Sequence, residues 1–208
     1  MRQVTPPSSE ASQCPATRSG VTVYSVAVSE SVCVTAAVRI EHSRLRAYLN
    51  APVEPASAWS PAEWAGVTGG QEDRDELPAA IAECDSWLDG DHADVLLDLV
   101  QDGLLLRYDE ATAALVVEFE SRADFRLPTL LWACTVLRGM AACMADGDRG
   151  VVTVTTDWRD DSVMMELTPG GSRFLAPGAR AEARSWEIDV QAEAEDADPD
   201  EIINRLID

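Results

Sequence analysis

Lysine is absent from the chain, so all 16 basic residues are arginines. That removes chemistries that need an amine at the reacting centre: Walker A phosphate loops, protein kinases, Schiff-base aldolases and pyridoxal enzymes. Histidine is nearly missing too, with only His42 and His92, and no HExxH or HxxxH spacing exists to hold a metal. The five cysteines form no CxxC pair, and their odd number argues against a complete disulfide framework. Cys134 and Cys143 fall on opposite sides of a helix at about 100° per residue, so reduced, mostly buried thiols are expected. There is no GxSxG elbow for a nucleophilic serine. A basic region followed by an apolar one does not open the chain, which reads as cytoplasmic.

Acid is what the chain has in excess. Against the arginines stand 37 Asp and Glu, giving a formal net charge of −21. Such a field repels nucleic-acid phosphate and anionic lipid, which disfavours direct binding to nucleic acid or a membrane and favours a cationic partner. The charge is uneven. Residues 51–103 carry one arginine against 13 acids, whereas residues 1–50 carry five against three. The dense acidic segment covers two expected helices whose outward faces present Glu76, Glu83, Asp91, Asp94, Asp98 and Asp102. These six are the candidate partner-binding residues.

The longest apolar run with helix punctuation is residues 126–147. Pro128 suits a first turn, Gly147 a left-handed cap, and apolar residues on nearly every side predict a helix buried within a domain. Arg138 would lie in the hydrocarbon if this segment crossed a membrane, so it is read as a core helix, with Gly139 admitting another backbone.

Residues 1–20, rich in Ser and Pro, read as a disordered leader. Residues 21–28 and 32–40 are β-rich runs that read as a hairpin, the second alternating cleanly, and a short helix follows over 42–49. Residues 50–71 hold three prolines and three glycines, with Trp59 and Trp64 among them, and read as an irregular connection. An amphipathic helix over 75–88 stops at Gly90. A second begins at Asp91, with Asp94 at the capping-box position and Ala93, Leu96, Leu97 and Val100 inward. Hairpins are expected over 104–120 and 151–168, a short strand over 173–175 and a last strand over 186–192, where Trp186, Ile188 and Val190 alternate with polar residues. An acidic linker and a short helix close the chain over 193–208.

This order predicts an α+β domain over 21–192, with a mainly antiparallel sheet built from hairpins and packed against the central helix and the two amphipathic ones. No cofactor or metal is expected. Asp146, Asp148 and Asp157 echo a calcium loop without its glycine or terminal glutamate, and Asp89, Asp91, His92 and Asp94 are better explained by helix capping. The leading expectation is a non-enzymatic acidic protein that engages a basic partner, as immunity proteins, antitoxins and nucleic-acid mimics do. The alternative is a small-molecule pocket or enzyme near residues 59–70, using Trp59, Trp64, His42, His92 or a cysteine. A third reading is oligomerisation through Ile202, Ile203, Leu206 and Ile207.

Overall fold

The structure is a computed structural model and describes residues 31–68, 71–100, 103–122, 126–194 and 202–204. The expected leader and strand over 1–28, Asp102, and most of the expected C-terminal linker and helix lie outside these residues. Among the described residues, six antiparallel strands form one sheet: β1 (Ser31–Arg39), β2 (Leu105–Asp109), β3 (Ala114–Arg122), β4 (Arg149–Thr156), β5 (Val163–Thr168) and β6 (Gly171–Phe174), in the spatial order β2-β3-β1-β4-β5-β6. Strands β2 with β3, β4 with β5 and β5 with β6 are local hairpins, as their alternation and turn residues dictate. In the β2 to β3 turn the carboxylate of Asp109 accepts from the Thr112 N–H at 2.7 Å and its hydroxyl at 2.9 Å. Those bonds hold Asp109 below the usual carboxylate range.

The partners of β1 are distant in the sequence. Strand β1 lies in the middle of the sheet, with β3 on one edge and β4 on the other along nearly its whole length, and the other half of the expected first hairpin, over 21–28, lies outside the described residues. The face of β1 that carries Val32, Val34, Ala36 and Val38 is buried throughout, whereas the opposite face carries Ser31, Cys33, Thr35, Ala37 and Arg39, of which only Ala37 is buried.

One sheet face carries Val32, Val34, Ala36, Val38, Leu115, Val117, Val152, Val154 and Met165 into the main core. Over it lie α1 (His42–Leu49), α2 (Gln71–Trp87), α3 (His92–Val100) and α4 (Arg126–Arg138). Helix α4 is the expected buried rod, with Leu130, Leu131, Val136 and Leu137 at most 1 % exposed. It is shorter than expected: after Arg138 the chain tightens into a 3-10 turn, Gly139–Cys143. What approaches Gly139 is the His92 ring and not a backbone, since a Cβ there would stand 2.6 Å from His92 Nε2. Helix α3 buries His92, Ala93, Leu96 and Leu99, so Leu99 takes the inward place assigned to Leu97 and Val100, which are half-buried. Tyr48 and Leu49 of α1 are buried, and Tyr48 donates to the Val136 carbonyl at 3.0 Å. Arg44 clamps the Asp148 carboxylate at 2.6 and 2.8 Å. Burial opposes ionisation of Asp148, but the Arg44 and Ala145 hydrogen bonds outweigh it and lower its pKa.

The other sheet face is covered by α5 (Arg180–Gln191), where a strand was expected over 186–192. Ala183, Glu187 and Val190 recur at helical spacing and are buried, while Ile188 is 56 % exposed. The alternation of Trp186, Ile188 and Val190 fits either period, and the Ala, Glu and Arg residues before it favour the helix. Glu187 is buried under α5, accepting from Thr153 at 3.1 Å and Arg184 at 3.0 Å, and burial raises its pKa. Ile202 and Ile203 are buried in the main core, so they do not form the exposed apolar patch that oligomerisation would need. No helix among the described residues is long and apolar enough to cross a membrane.

Candidate functional site

Helix α2 packs on α4, whereas α3 packs on α1, and this separates the six acidic candidates. On α2, Leu77, Ala80, Ile81 and Cys84 face the core, which turns Glu72, Glu76 and Glu83 outward. Glu72 and Glu76 are one turn apart and Glu83 two further turns on, so the three form a stripe along one side of the helix. That stripe is one wall of a groove of about 690 Å³. The floor is Ala79, Ala80, Leu127, Pro128 and Leu130, and the far wall is Arg126, Trp158 and Arg159. Arg126 lies over the Trp158 ring at 5.9 Å from its centroid, and Glu83 accepts from Trp87 Nε1 at 3.2 Å. Acid, arginine, aromatic and aliphatic side chains therefore share one groove.

The acidic residues of α3 are disposed differently. Asp91 accepts the Asp94 N–H at 2.9 Å, and Asp94 accepts the Asp91 N–H at 3.5 Å, the reciprocal cap anticipated from the spacing. Asp98 is exposed on α3, away from the groove lining, and Asp102 lies outside the described residues. The acidic wall is thus Glu76 and Glu83, extended by Glu72 and Asp73, which the charge count did not single out.

The four pocket candidates do not converge on one cavity. His42 is at the start of α1, edge-on to Tyr108 at 6.3 Å, with Nδ1 3.8 Å from Glu110. His92 is buried against Tyr48, ring centroids 4.1 Å apart, and its Nδ1–H donates to the Ala51 carbonyl at 2.8 Å. Burial lowers its pKa, and Nε2 is left without a partner against Gly139. Trp64 is fully buried and donates to the Ala56 carbonyl at 3.1 Å, and Trp59 meets it at a right angle. Both rings pack on the guanidinium of Arg138, at 4.2 Å from Trp59 and 4.6 Å from Trp64.

The described thiols are not activated. Burial pushes Cys84 and Cys134 up to about 12, and Cys33 and Cys143 are raised as well. A nucleophilic cysteine needs the opposite shift. Among the described residues no group of three or more His, Cys, Asp or Glu gathers as metal ligands would.

Arg138 was missed as a site residue, although a single charge inside the most apolar helix is a signal of its own. It is 3 % exposed, and Nε donates to Ser172 Oγ at 3.0 Å. Nη2 stands 4.0 Å from Glu63, and Nη1 is buried without a hydrogen-bond partner. Burial lowers its pKa against the pull of Cys134 and Glu63. Comparison of the chain with protein-family models, with curated proteins and with solved structures finds no match in any of the three.

Proposed function

We propose that this chain is a non-enzymatic interaction protein that binds a basic partner protein along α2, in the manner of an immunity protein, an antitoxin or a nucleic-acid mimic. The observation that carries the reading is the groove in which Glu72, Glu76 and Glu83 run beside an apolar floor. A cationic amphipathic segment matches both parts: its arginines or lysines meet the glutamates, and its apolar side chains cover Ala79, Leu127 and Leu130. The net charge of −21 steers such a partner from a distance, and the groove sets its register. The raised thiol pKa values and the separated histidines support the non-enzymatic reading over a His or Cys active site.

The test is capture of basic proteins at low salt, followed by titration of the captured partner. Binding is expected to weaken steeply as salt is raised, and the paired substitution Glu76→Gln with Glu83→Gln to reduce affinity about ten-fold or more. Asp94→Asn and Asp98→Asn on α3 are expected to change it little. Recovery of nothing that salt releases would remove the proposal, and so would a partner indifferent to the α2 pair.

A further inference from the structure

A second concavity, of about 630 Å³, adjoins Arg159, between residues 62–68 and the β6 edge of the sheet. Its charge contrasts with the rest of the molecule. Arg159, Arg173 and Arg180 line it against Glu63 and Asp161, a local excess of positive charge in a chain of net −21. Phe174 supplies an aromatic surface.

The arginines are held in place by the fold. Arg180 donates to the Leu175 carbonyl at 3.2 Å and to Asp161 at 3.2 Å. Arg173 grips Glu166 at 2.7 and 3.0 Å. Arg159 donates to the Val67 carbonyl and has no carboxylate partner among the described residues. Helix α5 starts at the same rim, and its N-cap residue Ala179 gives no side-chain cap, so the positive end of the helix adjoins the pocket.

Arg138 is a second, independent sign. Its guanidinium is almost wholly buried directly behind Ser172 and Glu63, two residues of the pocket wall, and its Nη1 has no partner. A guanidinium carries five N–H donors, and a buried one that leaves a donor unpaired bears a desolvation cost. The Trp59 and Trp64 rings and the Ser172 hydroxyl hold the guanidinium there, and Nη1 still lacks a partner beside the pocket wall.

We propose that this pocket binds a small organic molecule through a single phosphate or carboxylate group. Arg159, Arg173 and Arg180 contact the anion, Phe174 packs on the body of the molecule, and Arg138 adds positive charge from behind the wall. The volume lies within the range of small-molecule sites, and arginine forks match the geometry of both anion types. The site shares only Arg159 with the α2 groove, so it goes beyond the partner-binding reading, and either can fail without the other.

The experiment is calorimetric titration of the full chain with inorganic phosphate and, separately, with benzoate, alongside Arg180→Gln and Arg138→Met. Saturable binding of either probe at one site is expected, weakened about ten-fold or more by Arg180→Gln. Arg138→Met is expected to weaken it as well, and the unfolding midpoint measured on the same variant separates lost binding from lost folding. Phosphate binding without benzoate binding assigns a phosphate ligand, and the converse a carboxylate. Absence of saturable binding for both probes, or binding equal in wild type and both variants, overturns the proposal.

Discussion

His92 shows how one buried side chain ties the helical layer together. Its ring packs on Tyr48, bonds to the Ala51 carbonyl and fills the space that a Cβ at Gly139 would need. The imidazole is neutral in this setting, because burial outweighs the Ala51 hydrogen bond and lowers its pKa. The unfolded chain takes up a proton near pH ~6.5 while the folded one resists it, so stability is fully present above that value and falls as pH drops toward the folded pKa. Glu187 acts with the opposite sign, since its raised pKa costs stability as pH rises above the ordinary carboxylate range. Denaturant midpoints measured from pH 7 down to about 5 are therefore expected to fall for the wild type relative to His92→Gln, in which the histidine contribution is gone. Parallel curves for the two proteins would show that His92 is not kept neutral. The pattern of α3 revealed a helix starting near this residue, but nothing local indicated that its imidazole would meet a glycine 47 positions later.

At the scale of elements, agreement and error have the same origin. Strands β2 to β5 and helices α1 to α4 are written in local periodicity, turn residues and caps, which a single stretch displays by itself. The last helix is where period fails to discriminate. Trp186, Ile188 and Val190 share one face of a strand, whereas in α5 Val190 is buried and Ile188 exposed. Ile188→Asp is accordingly expected to change stability by no more than about 0.5 kcal/mol, and Val190→Asp to cost several times that. Equal losses in chemical denaturation would restore the strand. The terminus of α4 was misplaced for a related reason: Gly147 has the positive φ of +96° that its role as a turn residue requires, but the helix had already tightened at Gly139.

At the scale of the whole molecule, the excess of acid is a property of composition, and its cost is self-repulsion of the folded form. Raising ionic strength is expected to raise the thermal midpoint, because screening relieves this repulsion more than it weakens the few exposed ion pairs such as Arg39 with Glu193. A midpoint that falls with salt would show that local pairs dominate. The antiparallel α+β class, the absence of lysine chemistry and the overall negative field were determined by the sequence alone, since each follows from composition or from the order of local patterns. Only the tertiary structure decided that β1 is central, that the acids of α2 and α3 part company, and that Arg138 stands behind an arginine-lined pocket. Those outcomes depend on contacts between residues 30 to 130 positions apart, and no local period encodes which distant surface a face will meet.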